Sequence, residues 1–162
     1  PELLQAQLLC HLGACATEMQ RGGEACELFR RSAELGVADE NPVALVFAEL
    51  GLARVELLAD RLATAQDHLT AAERLLTGEG IPEGLERELR GTVSQLRAES
   101  ALQAGDAQEA LLFFQRAREQ LLGAPSVSPV ETAPRGQRSS AKSFVNKNIQ
   151  SPLTCAPTGI PG

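Results

Sequence analysis

Few side chains in this sequence have the types and spacing that metal binding or catalysis requires. His11 and Cys15 are four residues apart and would share one face of a helix, while Cys26 could approach them from the next helix. Imidazole and thiolate groups at such a spacing are typical zinc ligands. The alternative, which we favour, is that these thiols are small core residues beside a partly exposed histidine. A small zinc-binding helical domain is therefore the least favoured of three hypotheses about function.

No serine or cysteine nucleophile has a paired base in the sequence. Ser32, Ser94 and Ser100 fall on predicted helices, and the two histidines, His11 and His68, are far apart. The glycine-rich stretches connect predicted helices and do not follow a strand, as a phosphate-binding loop would. We therefore predict no catalytic residue, no bound metal, no cofactor and no enzymatic activity.

The elements that would position any functional side chain are all predicted to be helices. Only five Phe and no Trp or Tyr occur in 162 residues, so the core must consist of Leu, Ala and Val. Leu and Ala favour helices, whereas the β-branched and aromatic residues that favour strands are scarce. Apolar residues at helical spacing and the breaks between them predict an all-α fold of six helices. Their approximate ranges are 2–21, 24–35, 42–59, 60 or 64–77, 82–104 and 106–122.

Several local signals support these boundaries. Asn41 and Asp106 are good N-cap residues, and Glu109 could complete a capping box with Asp106. Pro42 suits the first position of a helix, and Gly36 suits the position just after one. After residue 123 the chain is rich in Pro and Ser and has no apolar periodicity. We predict one helical domain over residues 1–123 and a disordered tail over residues 124–162.

The predicted helices form three pairs with an internal repeat. In the second helix of each pair, Ala25, Ala65 and Ala110 share one position. An aromatic residue or Leu follows four residues later, and a small residue follows seven later, at Phe29 and Ser32, Leu69 and Ala72, and Phe114 and Ala117. In the first helices, Gly13 precedes Ala25 by 12 residues and Gly51 precedes Ala65 by two more. Ala98 occupies the corresponding position in the third pair.

Over roughly residues 6–122 this pattern resembles the tetratricopeptide repeat, which couples Leu-Gly in a first helix to Ala, a large residue and Ala in a second. The repeat spacings of 40 and 45 residues exceed the family's usual length of about 34, and are similar to those of its extended scaffold members. The resemblance implies antiparallel helical hairpins stacked as a solenoid, whose first helices line a groove for a peptide. Four groove residues are implied in each repeat, namely Gln7, Cys10, Ala14 and Glu18, then Leu45, Ala48, Leu52 and Glu56, then Thr92, Gln95, Glu99 and Gln103.

The leading hypothesis is therefore a protein–protein interaction scaffold or adaptor. Up to Gly123 the chain has 11 Arg, no Lys and 20 acidic residues, so nucleic acid is not an expected partner. The missing lysines also exclude the basic carboxylate clamp of chaperone-binding relatives. An acidic and apolar groove favours a peptide with Arg or Lys beside hydrophobic anchors. The second hypothesis is a structural part of a larger protein whose activity lies elsewhere.

Further features of the sequence predict the compartment of the protein and whether its solenoid is complete. No signal peptide and no apolar run long enough to span a membrane is present. The four cysteines, including Cys155, lack C-x-x-C pairing, which indicates reduced thiols, three of them in the core, in a cytoplasmic or nuclear protein. Ser128 and Ser151 each precede Pro and are candidate phosphorylation sites. The start without Met, and Pro125 where a polar capping helix would follow, predict an incomplete solenoid whose exposed end could self-associate.

Overall fold

The chain forms six consecutive helices in a computed structural model that describes residues 2–122. They are α1 (Glu2–Glu18), α2 (Gly22–Ala38), α3 (Pro42–Leu58), α4 (Leu62–Leu76), α5 (Glu83–Gln103) and α6 (Ala107–Leu122). The predicted all-α class is confirmed, as are the six helices. The predicted tail and the calls on Ser128, Ser151 and Cys155 lie outside the described residues.

The helices are arranged as three antiparallel hairpins in two layers. Early residues of α1 contact late residues of α2, as when Ser32 Oγ donates to the carbonyl oxygen of Ala6 at 2.8 Å. The first helices α1, α3 and α5 form one layer, because α3 contacts both α1 and α5. Each of α2 and α4 packs on the first helix that follows it. Within residues 2–122, the second helices α2, α4 and α6 do not contact one another.

The three hairpins share one turn. In each, the second of the three residues between the helices has a positive φ, at 60° for Gln20, 58° for Asp60 and 84° for Gly105. The following backbone N–H bonds a carbonyl five residues earlier, at 2.9 Å for Arg21 to Ala16, Arg61 to Glu56 and Asp106 to Ala101. These bonds satisfy carbonyls that the end of a helix would otherwise leave unpaired. The hairpins are therefore structural repeats as well as sequence repeats.

The second turn contains the most buried ion pair of the described residues. Glu56 is only 3% exposed, and its carboxylate accepts a hydrogen bond from Nε of Arg61. The equivalent positions in the other two turns are Ala16 and Ala101, which are also buried. A buried carboxylate is tolerated only with a charged or hydrogen-bonding partner. This ion pair therefore replaces an apolar contact at one of three equivalent turns.

Helix caps follow the sequence prediction in part. Oδ1 of Asn41 accepts from the N–H of Ala44 at 3.2 Å, and Oδ1 of Asp106 accepts from the N–H of Glu109 at 2.9 Å. Both predicted N-caps are thus confirmed. The reciprocal half of the capping box is not available, because the N–H of Asp106 already bonds to Ala101.

Gly36 does not end a helix as predicted. It lies inside α2, where an added Cβ would be 3.1 Å from two side-chain atoms of Leu45. The position is small because α2 and α3 approach closely there, and α2 ends three residues later at Asp39, its C-cap. Gly22 and Gly23, predicted to separate two helices, are instead the first residues of α2.

The tightest packing in the first half of the domain surrounds the ring of Phe29. A Cβ added at Gly13 would be 2.8 Å from its Cε1 atom, and a Cβ added at Gly51 would overlap the ring. Phe29 is buried with Ala48, Leu52 and other residues of one core cluster. Because Gly13 is on α1 and Gly51 is on α3, this ring fixes how closely the second hairpin approaches the first.

A second core cluster joins α3, α4 and α5. Leu69, which is equivalent to Phe29, is fully buried there with Leu76, Leu89 and Val93. Helix α3 contributes to both clusters, which is why its sequence is apolar around most of its circumference.

The contact between Gly51 and Phe29 can be tested by a double-mutant cycle. Gly51→Ala should lower the free energy of unfolding by roughly 1–3 kcal/mol, because a methyl group must displace a buried ring. Combining it with Phe29→Leu should cost less than the two changes separately, since leucine occupies the equivalent position at Leu69. Chemical denaturation measures all four proteins. Gly23→Ala is the control and should not lower stability, because the added methyl group meets no atom within 4 Å. If the losses of unfolding free energy for Gly51→Ala and Phe29→Leu simply add in the double variant, the contact is contradicted.

The buried ion pair predicts unequal costs for its two partners. Arg61→Ala should cost about 3 kcal/mol, because it leaves the carboxylate of Glu56 buried without its partner. Glu56→Ala should cost about 1 kcal/mol, because the side chain of Arg61 is 32% exposed and can turn to water. The double variant should resemble Glu56→Ala in denaturant unfolding. Equal losses of unfolding free energy for the two single changes would contradict this account of the buried ion pair.

Candidate functional site

A groove runs along the layer of first helices. It has a volume of about 600 Å³. All three first helices contribute to its walls, and Phe29 of α2 lies at its floor. We call this surface the α1/α3/α5 groove. Its principal lining residues are Gln7, Cys10, His11, Ala14, Glu18, Phe47, Leu50, Gly51, Arg54, Glu88, Thr92 and Gln95.

The four groove residues predicted from the first repeat all line this groove. Gln7, Ala14 and Glu18 are exposed, and Cys10 is buried at its base. The Sγ atom of Cys10 lies 3.0 Å from Oγ of Ser32. Burial raises the pKa of the Cys10 thiol, an effect that the hydrogen bond with Ser32 partly offsets. A thiol with a raised pKa stays protonated near neutral pH, so Cys10 is a poor nucleophile.

Two of the four residues predicted from the third repeat also line the groove. Thr92 and Gln95 lie on its α5 wall. Glu99 and Gln103 are further along α5 and do not line it, although Glu99 accepts a hydrogen bond from Gln95 at 3.1 Å. The groove therefore covers the middle of α5 rather than its carboxyl end.

The residues predicted from the second repeat do not line the groove. Leu45 packs on Gly36 of α2, and Ala48 and Leu52 belong to the core around Phe29. Glu56 is buried in the ion pair with Arg61. The implied groove face of this helix is instead the face that packs on α2, and three of its four residues, Ala48, Leu52 and Glu56, are buried.

A two-residue error in alignment explains this difference. The position equivalent to Gly13 and Ala98 is Ala53, not Gly51, because each of these residues stands 12 before the Ala of its second helix and five before the end of its first helix. Two residues correspond to a rotation of about 200° on a helix. The corrected positions on α3 are Phe47, Leu50, Arg54 and Leu58, and the first three line the groove. The constant spacing was present in the sequence, but the Leu-Gly dipeptide at 50–51 concealed it.

The correction changes the charge of the groove. Leu58 takes the place expected for Glu56, and Arg54, which is equivalent to Ala14, places its guanidinium 3.3 Å from the carboxylate of Glu18. Both side chains are at least half exposed, so this ion pair is weak and its partners can exchange. Glu88 adds a carboxylate on α5, and His11 adds an imidazole on α1. The walls are thus of mixed charge around an apolar centre formed by Phe47 and Leu50.

The residues considered for catalysis or zinc binding are not assembled into a site. His11 and Cys15 are exposed on α1, whereas Cys26 is buried. Over residues 2–122, no three His, Cys, Asp or Glu side chains are grouped so that they could hold a metal ion. His68 is engaged with Glu49 at 2.7 Å, and Ser94 donates to Gln120 at 2.9 Å.

The cysteine prediction is only partly right. Cys10 and Cys15 are free thiols, but Cys15 is exposed and not in the core. Cys26 is in the core but is disulfide-bonded rather than reduced. In the part of the chain that is described, no helix is long and apolar enough to cross a membrane.

Comparison with known proteins adds no assignment to this geometry. The chain matches no family model, and neither the curated proteins nor the solved structures include a significant match.

Proposed function

We propose that this protein is a non-enzymatic interaction scaffold of the tetratricopeptide type, which binds a peptide segment of a partner in the α1/α3/α5 groove. The observation that carries the proposal is the groove itself, in which three equivalent helices present equivalent positions to one concavity. Repeated helical hairpins with such a surface are a common architecture for peptide recognition. A cytoplasmic or nuclear location belongs to the same proposal.

The chemistry of the walls favours one class of ligand. Phe47 is 39% exposed beside the buried Leu50, and together they offer an apolar site near the middle of the groove. Glu18 and Glu88 lie on opposite walls, on α1 and α5. A peptide with a large apolar side chain and a neighbouring Arg or Lys fits this arrangement, because the apolar residue would anchor it and the charges would orient it.

Selection from a random peptide library displayed on phage tests the proposal without a known partner. Peptides selected on the full chain should carry the apolar and basic residues described above. Phe47→Ala should weaken their binding about tenfold or more, on the order of 1.5 kcal/mol, as measured by fluorescence anisotropy. Leu112→Ala, an exposed change on α6, is the matched control. Peptides that bind the Phe47→Ala variant undiminished, or no selected peptide at all, would refute the groove as the binding site.

The ion pair across the groove predicts opposite effects of two further changes. Arg54→Ala should strengthen the binding of a selected basic peptide a few-fold, because Glu18 is then free to pair with the ligand. Glu18→Gln should weaken the same interaction a few-fold, and both effects should diminish at high salt. Anisotropy titrations at low and high ionic strength measure them. If the two variants shift affinity in the same direction, Glu18 does not recognise the ligand's charge.

A further inference from the structure

The outer face of α1 carries an apolar stripe that the internal repeats bury. Leu4, Leu8, Leu12 and Cys15 are all exposed and lie at helical spacing, and we call them the α1 end face. Leu8 is 57% exposed, whereas its equivalents Ala48 on α3 and Val93 on α5 are at most 2% exposed. The other equivalents are Ala44 and Leu89 for Leu4, Leu52 and Arg97 for Leu12, and Val55 and Ser100 for Cys15, and all of them except Arg97 are buried.

The face at the other end of the repeats is exposed in the same way. Phe114 is 40% exposed, although its equivalents Phe29 and Leu69 are nearly or fully buried. Leu102, Leu111 and Leu121 are more than half exposed and join Phe114 in what we call the α6 end face. The equivalents are Thr17 and Leu57 for Leu102, Cys26 and Gln66 for Leu111, and Gly36 and Leu76 for Leu121, and all of them except Gln66 are buried.

These two faces correspond to the two sides of one internal interface. The contacts of α2 with α3, and of α4 with α5, always join a second helix to the first helix of the next repeat. In the α2–α3 contact, Cys26 and Phe29 meet Ala48, Leu52 and Val55. The α6 end face is equivalent to the first set of residues, and the α1 end face to the second. Each face therefore offers an apolar counterpart to the other.

We propose that the α6 end face of one copy of this chain binds the α1 end face of a second copy, so that the solenoid continues from molecule to molecule. A second copy is the occupant that the structure favours, since the same chain supplies both halves of the interface. The proposal does not depend on peptide binding in the groove.

The junction differs from the internal α2–α3 interface at several positions, since Leu4 and Leu8 stand where α3 has Ala44 and Ala48. His11 stands where Gly51 stands on α3, so the ring of Phe114 cannot be enclosed as the ring of Phe29 is. The two helices must therefore be further apart than α2 and α3, and the junction is weaker than a covalently connected interface. A reversible association that depends on protein concentration follows from this spacing.

Head-to-tail association is heterologous, so it leaves one free α1 end face and one free α6 end face on every assembly. Sedimentation of the full 162-residue chain should consequently show an average mass that rises with concentration and passes the mass of a dimer. A chain that remains monomeric at all accessible concentrations would overturn the proposal.

Blocking each end separately distinguishes this arrangement from symmetric dimers. Leu8→Glu/Leu12→Glu blocks the α1 end face, and Leu102→Glu/Leu111→Glu blocks the α6 end face. Each variant alone should sediment as a monomer, whereas their equimolar mixture should form a 1:1 dimer through the two intact faces. Self-association by either variant alone, or no association in the mixture, would contradict the head-to-tail arrangement.

Two controls test whether the Glu substitutions act only through the end faces. Leu58→Glu introduces the same change at an exposed leucine outside both faces, at the position where α1 has Glu18, and should associate like the unmodified chain. Circular dichroism should show equal helicity for all variants. If a Glu variant loses helicity, the corresponding Gln pair replaces it, with the same outcomes expected.

Discussion

The arrangement of the domain depends on the close approach of helices around one buried ring. Phe29 occupies the space that the missing side chains of Gly13 and Gly51 leave open on two different first helices. A ring held on both sides couples the spacing of α1 and α2 within a hairpin to the spacing of α1 and α3 between hairpins. Because Phe29 and Gly51 also line the groove, its width follows from this packing.

Much of this architecture could be predicted from the sequence, because local signals and the helical period agree. Asn41 and Asp106 cap helices as expected, and the small and large residues of the second helices are buried as a set. The failures have a common cause. From the local sequence alone, Gly36 predicts a helix end and Gly51 predicts the small residue of the repeat. Both glycines are instead required by the close approach of a neighbouring helix. Only the tertiary contacts with Leu45 and Phe29 separate these roles.

The same ambiguity determined which groove residues could be found. On α1 and α5 the small residue of the repeat was identified correctly, and six of the eight predicted positions line the groove. On α3, whose sequence is apolar on most sides, polarity could not reveal a misplaced register. The turns could have done so, since Gln20, Asp60 and Gly105 are all seven residues after the true equivalent position. A residue with positive φ marks the equivalent position in each turn independently of the small residues. Gln and Asp, however, do not predict a positive φ from the sequence as Gly does.

Stacked repeats also distribute stability unevenly. Each repeat is stabilised by its own hairpin and by the interfaces with its neighbours. The hairpin of α3 and α4 has a neighbour on both sides, whereas the outer hairpins have one each among the described residues. The apolar faces of α1 and α6 are therefore where the domain has the least stabilisation and the most to gain from contact. Because a ligand that binds only the folded form stabilises it, covering an end face would raise the stability of the adjacent hairpin. The groove joins all three hairpins, so occupancy of the ends and occupancy of the groove would be linked through the same packed helices.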